Sequence, residues 1–432
     1  LYVTGVVEKA PRSTVGPGLS LLRLVCPSCS VLSTAYITTH NSCDDVWVVN
    51  GAMAEATDRT AAAAFLQGDL WEVPLRTSVD IHTFGLFYRI CADLDGMYLE
   101  QAFGDTGLTV FTSPISAVRV PYRVLEASSG LVATTGQTLV VTCAASCNVT
   151  SQVHLAESCD SAPTSPADNV TLPVLLQQLP GFLENEWVAD VDATLLQPGA
   201  TFELCIDLDG IDGLSYTLGG SNFEVYVSPV TALKSNTLQQ LANEKLIVAC
   251  EQCTVDTVLY LGTSCATSLA AASIAATDTA GLWEASFDAS SLTVGSNYQL
   301  CADLDGAGMY PAGDTGLSIY LSPVAGLAEG ETAVAVGQAL QLAAECTSAQ
   351  SCAEAAEVFL GTECFDVGDL DPDAAPAGAR FSSTVPFVGI PGYPTQRAAD
   401  FATDNLQEGR YYRLCIDVDG TTQPLLPGDT GV

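Results

Sequence analysis

The chain has 432 residues, with 14 Lys and Arg against 50 Asp and Glu, a net charge of −36 at pH 7; such a charge repels phosphate backbones and anionic headgroups, which excludes nucleic-acid and membrane-surface partners. Hydrophobic residues make up 48%, too many for a disordered chain, and no apolar run approaches the roughly 18 residues of a membrane span. The first residue is Leu and no signal-peptide-like stretch precedes the first repeat, so a processed or partial product is expected.

The first element in chain order is a short apolar strand, Leu1, Tyr2, Val3, Thr4, Gly5 and Val6. Its pattern recurs in residues 110–115 (VFTSPI), 225–230 (VYVSPV) and 319–324 (IYLSPV), each time just after a Gly-Asp-Thr-Gly-like turn. The opening strand therefore resembles a piece that elsewhere closes a unit. After it, an apolar run ends on a cysteine (LLRLVC, later TLVVTC and KLIVAC). A second strand follows (YITT, VHLA, VLYLG, VFLG), then an aromatic-led run into another cysteine (YRIC, FELC, YQLC, YRLC).

These landmarks divide 16 cysteines into four sets: Cys26, Cys29, Cys43, Cys91; Cys143, Cys147, Cys159, Cys205; Cys250, Cys253, Cys265, Cys301; Cys346, Cys352, Cys364, Cys415. An even count at recurring spacing argues for a disulfide framework in an oxidising compartment. Zinc is the weaker reading, because the first spacing drifts from C-x2-C to C-x5-C and no His accompanies the sets. Four cysteines allow three pairings per set, and the residues alone select none.

Short strands broken by Gly, Pro, Asn and Asp, in units of about 100 residues, predict an all-β chain of antiparallel sandwiches. Only alanine-rich stretches, residues 61–66 and 269–276, carry a helical pattern. The expected organisation is an N-terminal donor-type strand (1–7), then units one (8–115), two (116–230), three (231–324) and four (325–432), the last lacking its closing strand. Trp71, Trp187 and Trp283 precede the fourth cysteines by a similar distance, as core residues, with Arg397 at the matching place in unit four.

The separation of the sheet cysteines, with an aromatic three positions before the second, resembles tandem immunoglobulin-like domains of extracellular proteins. The aromatic stands at Y-x-x-C where that family has Y-x-C, and the tryptophan is not at the family's usual place. The resemblance implies a disulfide from first to fourth cysteine across the sheets (Cys26 to Cys91, Cys143 to Cys205, Cys250 to Cys301, Cys346 to Cys415). Second would then pair with third around a local loop (Cys29 with Cys43, Cys147 with Cys159, Cys253 with Cys265, Cys352 with Cys364).

The most regular motif follows the fourth cysteine: CADLDG, CIDLDG, CADLDG, CIDVDG, then GDTG in units one, three and four and GGSN in unit two. Carboxylates converging on a hard cation would make calcium ligands of Asp93, Asp95 and Asp105, of Asp303, Asp305 and Asp314, and of Asp417, Asp419 and Asp429. The alternative is a tight turn in which these carboxylates accept backbone N–H bonds, and it also covers Asp207 and Asp209 of unit two. No nucleophile elbow, phosphate loop, zinc-protease motif or dinucleotide fingerprint is present, and His40, His82 and His154 fall at unrelated places, so no enzymatic activity and no cofactor beyond calcium are expected. Sequons at Asn148 and Asn169 are glycosylation candidates.

Unit four ends at Gly428, Asp429, Thr430, Gly431 and Val432, one residue into the strand that closes the other units. An incomplete sandwich invites strand addition. The expectation is a head-to-tail homopolymer, an extracellular filament, in which residues 1–6 of one copy complete unit four of the next, Leu1 and Val3 pointing inward and Tyr2 outward. The alternative is a surface adhesin or spacer of tandem domains that binds glycan or protein.

Overall fold

The computed structural model describes residues 4–9, 14–38, 43, 64–77, 83–94, 104–120, 130–144, 146–165, 167, 169–180, 182–210, 213, 215–306, 312–330, 333–352, 355–362, 364, 382–420, 425 and 427–432. Every element among them is a β-strand. By its contacts the chain divides into two compact bodies, residues 1–121, 133–197 and 201–225 in one, and 122–132, 198–200 and 226–432 in the other.

In the first body, one sheet runs in the order Glu8–Lys9, Gly18–Val25, Leu70–Thr77, Ala64–Gln67, and a second in the order Thr14–Val15, Gly104–Thr112, Phe87–Asp93, Thr34–Thr38. Alternation puts Leu22, Leu24, Trp71, Val73 and Leu75 of the first against Ile37, Tyr88, Ile90 and Val110 of the second in one core. Unit two repeats the plan, with Glu186–Val191, Gln137–Cys143 and Ile115–Arg119 in one sheet, and Thr201–Asp207 between Gly219–Ser228 and Gln152–Ala156 in the other.

In the second body, unit three joins its two layers into one eight-stranded sheet, because Ala270–Ala276 pairs with Val258–Gly262 on one side and Leu282–Phe287 on the other. Here the alanine pattern resolves against a helix: Ala272 and Ile274 are buried in alternation, the period of a strand. Residues 64–67 of the other alanine-rich stretch are also strand, and 61–63 lie outside the described residues. Unit four has sheets in the orders Val324–Gly330, Ala339–Cys346, Tyr393–Ala402, Val388–Ile390 and Val385–Pro386, Glu357–Gly361, Arg413–Asp417, Gly428–Asp429.

The disulfides correct the pairing that the resemblance implied. First joins second and third joins fourth: Cys26–Cys29, Cys43–Cys91, Cys143–Cys147, Cys159–Cys205, Cys250–Cys253, Cys265–Cys301, Cys346–Cys352 and Cys364–Cys415. The reason is the pleat. In Asn297–Asp303 the residues Tyr298, Leu300 and Ala302 face the core, so Cys301 between them faces outward and cannot reach across the sandwich. It meets instead the loop that follows the neighbouring strand, and an aromatic covers the bridge, as Tyr36 does for Cys43–Cys91 and Phe359 for Cys364–Cys415. The chain-entropy model gives the long loops, with separations of 36 to 51, about 4 kcal/mol each and the short ones about 2.

Each tryptophan pairs opposite the residue two before a first cysteine: Trp71 with Leu24, Trp187 with Val141, Trp283 with Val248. Trp71 is buried, whereas Trp283 is half-buried and donates its ring N–H to the Cys250 carbonyl at 3.0 Å. Arg397 pairs with Ala344 at the same place and donates to the carbonyls of Cys352 and Ala349, so a guanidinium takes over the same loop in unit four.

Candidate functional site

The Gly-Asp-Thr-Gly motif assembles the closing edge of each unit. Its last residue adopts a left-handed φ (Gly107 76°, Gly316 73°, Gly431 83°), which suits glycine or the Asn222 (68°) of unit two. In unit three this is a bulge, with Leu300 opposite Leu317 but Cys301 opposite Asp314. The threonine hydroxyl donates to a strand carbonyl, Thr106 to Ile90, Thr315 to Leu300 and Thr430 to Leu414, at 2.6–2.7 Å. The aspartate accepts the N–H of the last glycine at 2.8–2.9 Å. Asp105 and Asp429 also pair with Arg89 and Arg413. In unit two Glu203 replaces the arginine, and a Cβ on Gly220 would come within 1.9 Å of its carboxylate, which accounts for the glycine at 220.

The third carboxylate of each candidate calcium trio is thus engaged with its own turn. Among the described residues, no group of three His, Cys, Asp or Glu could hold a metal ion, and Asp95 lies outside them. The remaining carboxylates form pairs, Asp207 with Asp209, Asp303 with Asp305 and Asp417 with Asp419. Burial first, then the facing carboxyl, raises the pKa of Asp207 and Asp303, and pushes Asp417 up to about 6. Asp303 and Asp417 accept turn N–H groups from Gly306 and Gly420 at 2.9 and 3.0 Å. Asp209 Oδ1 and Asp419 Oδ1 are buried without a hydrogen-bond partner. Chemically, such a pair can share one proton.

In unit three, Asn297–Asp303 runs antiparallel to Gly313–Ser322, with Asn297 opposite Tyr320 and Tyr298 opposite Ile319. Thr237–Gln239 lies along its other side in parallel, Leu238 opposite Leu321. The same parallel strand appears as Val15 opposite Thr112 and Leu131 opposite Val227.

Unit four lacks both flanking pairings among its described residues. Its strand begins only at Arg413, where the others reach two or more residues further back, and Tyr411, the counterpart of Asn297, is 99% exposed. Val334, the counterpart of Leu238 (346−334 and 250−238 both 12), lies in no strand. Between these two edges opens a cavity of about 580 Å³ lined by Leu327, Val334, Leu340, Leu342, Leu360, Leu406, Leu414 and Val432. Leu414 and Val432 still pair, as Leu300 and Leu317 do in unit three, so the groove starts where the next strand residue would stand. Of the expected acceptor end, only Val432 lines the cavity; Gly428 and Asp429 pair with Ile416 and Cys415 in the sheet.

At the head of the chain, Leu1, Tyr2 and Val3 lie outside the described residues, and within the expected free strand 1–7 Val6 and Val7 are engaged with unit one. Val6 is 2% exposed in the core of unit one, Val7 donates to the Val25 carbonyl, and Glu8–Lys9 pairs with Leu24 and Val25. Thr4, Gly5 and Val6 belong to a joint, because Val6 N–H bonds the Thr4 hydroxyl at 3.0 Å just as Ile115, Val230 and Val324 bond Ser113, Ser228 and Ser322.

The aromatic of the closing strand is also not outward in the sense expected. Phe111, Tyr226 and Tyr320 are 2–5% exposed. Each leaves its own sheet and enters the next unit, where Tyr320 sits in the unit-four core.

Of the histidines, His40 and His82 lie outside the described residues. His154 is buried, its Nε2 without a partner, and burial lowers its pKa to about 4. Asn148 is exposed, with Oδ1 accepting from Thr150; Asn169, half-buried, donates to Glu157.

No protein-family model and no curated protein matches the chain. Among solved structures, it is similar to the full extracellular region of plexin A4, domains 1 to 10, at 7% identity and a TM-score of 0.19, over 97% of this chain and 37% of that one. It thus spans well under half the length of that region. It is also similar to the ICAM-5 D1-D4 ectodomain fragment, at 15% identity and a TM-score of 0.18, over 98% of this chain and 96% of that one. The fold itself rests on the strand pairing and disulfides described above.

Proposed function

We propose that this chain is a non-catalytic structural subunit of an extracellular filament. Residues 1–3 of one copy enter unit four of the next and form its closing strand. The groove carries this reading: an apolar, strand-wide opening flanked by two edges that are both paired in every other unit. The occupant it fits has the pattern of 319–321, and Leu1, Tyr2 and Val3 have that pattern. Leu1 would stand opposite Tyr412, and Val3 beside Val334. Burying these two side chains is worth about 1.5–3 kcal/mol each. Eight disulfides suit an oxidising, extracellular setting, and the acidic surface keeps filaments apart.

A continuation of the same chain beyond Val432 could carry an equivalent strand, and mass separates the two. A single chain near 44.9 kDa that forms long fibres in electron micrographs is expected. Replacing Leu1 and Val3 by Asp should then leave folded chains that do not polymerise, since a charge in an apolar groove costs several kcal/mol. A much larger covalent mass, or normal fibres from that variant, would overturn strand donation.

A further inference from the structure

We infer that the strand at the head of each copy is a two-faced key: Tyr2 seats on Gly104 of its own unit one, while Leu1 and Val3 enter the groove of the next copy. This deepens the strand-donation reading and rests on it. Three joints within the chain show the pattern. A Cβ on Gly219 would lie 2.3 Å from the Phe111 ring, one on Gly313 2.0 Å from the Tyr226 ring, and one on Gly428 2.1 Å from the Tyr320 ring. Each ring comes from the closing strand of one unit and packs flat on the glycine that opens the Gly-Asp-Thr-Gly or Gly-Gly-Ser-Asn turn of the next. Only glycine leaves room for it.

The tyrosines add a hydrogen bond. Tyr226 Oη donates to the Ala302 carbonyl at 3.0 Å and Tyr320 Oη to the Ile416 carbonyl at 3.2 Å. Ala302 pairs with Gly313 and Ile416 with Gly428, so the acceptor is always the strand partner of the socket glycine. The neighbours of the ring point the other way: Ile319 and Leu321 belong to the core of unit three while Tyr320 belongs to that of unit four. One strand therefore serves two units through alternate side chains.

Unit one has a glycine at the matching place. Gly104 opens its turn, is buried, and pairs with Ala92. The key that fits is fixed by the joint. Thr4 and Val6 reproduce the hydroxyl-to-N–H bond of Ser322 and Val324, and Tyr320 lies two residues before Ser322. Two residues before Thr4 is Tyr2. The copy-to-copy joint is then the same as the joints inside the chain, with the Ala92 carbonyl as the expected acceptor for Tyr2 Oη.

The test is the critical concentration for assembly of the full chain, by sedimentation and electron microscopy, with melting of the free chain as the check on folding. Tyr2→Ala and Gly104→Ala should each raise it about tenfold, the effect of roughly 1.4 kcal/mol. Tyr2→Phe should stay close to the parent, since Phe111 fills the matching place. Because both single changes break one contact, Gly104→Ala in the Tyr2→Ala background should cost nothing more. Parent-like assembly by Tyr2→Ala, multiplied effects in the double variant, or misfolding of Gly104→Ala even without the ring would overturn the key. Assembly by the variant with Leu1 and Val3 replaced by Asp would instead remove the donation reading beneath it.

Discussion

Units three and four share their central pairing, Val258–Gly262 with Asn297–Asp303 and Glu357–Gly361 with Arg413–Asp417, and the difference that opens the groove lies at one edge. Leu246, Leu261 and Leu300 of unit three are 1%, 0% and 0% exposed; their counterparts Leu342, Leu360 and Leu414 are 7%, 5% and 3%. Each belongs to the core of its unit, so the fourth core is formed but lightly uncovered along one line. The tyrosine corner is present in both: Tyr298 Oη binds the N–H of Thr293 and Tyr412 Oη that of Gln407, at 2.7 Å. The corner, the bulge and the disulfides thus form without the closing strand. Unit four differs at Tyr411 and Val334, which lie in no strand, and in the open groove beside them.

The largest expected effect comes from making the two units alike. Adding Ser-Ile-Tyr-Leu after Val432, a copy of residues 318–321, should fill the groove in the same chain. Burial of the added Ile and Leu gives about 3–6 kcal/mol before the cost of ordering four residues. Calorimetry should show unit four melting several degrees higher, and the extended chain should no longer polymerise. An unchanged melting profile would mean that the groove does not take this strand.

Core truncation comes next in size. Leu246→Ala leaves a cavity in a sealed core and should cost about 3–5 kcal/mol. Leu342→Ala widens a space that water already reaches, so a loss near 2 kcal/mol is expected in the free chain, measured by denaturant unfolding. Equal losses would contradict the open edge.

Much of this was legible in the sequence. Strand runs, turns and the repeat of cysteines suffice for an all-β chain. Cysteine separation does not determine the disulfide pairing, because side-chain parity overrides it. In Tyr298-Gln299-Leu300-Cys301 the odd spacing of Tyr and Cys puts them on opposite faces, while the Y-x-C of the resembled family puts both on one. That departure was visible and decisive. The role of Gly104, Gly219, Gly313 and Gly428 was not legible: a glycine in a turn reads as conformational need, and only the ring of the preceding unit shows that the need at 219, 313 and 428 is space.

The smallest effect distinguishes the acidic pairs. In unit four, burial and the facing Asp419 hold the Asp417 pKa at about 6, above its ordinary value near 3.9. A raised carboxyl pKa means that the folded state keeps a proton that the unfolded chain loses. Its contribution therefore favours folding below about pH 4 and is lost as the pH rises through 6. His154 has the opposite sign: with its pKa lowered to about 4, stability falls as the pH drops from about 6.5. The whole-chain profile mixes the two, so the informative quantity is the difference between the parent and Asp417→Asn. At pH 7.5 the variant should be the more stable by on the order of 1 kcal/mol, through loss of repulsion from Asp419, and the gap should close by pH 4.5. Both should melt alike in calcium and in chelator. If the parent instead melts higher in calcium at pH 7.5, and Asp417→Asn is both less stable and indifferent to calcium, the pair holds a cation where we place a shared proton.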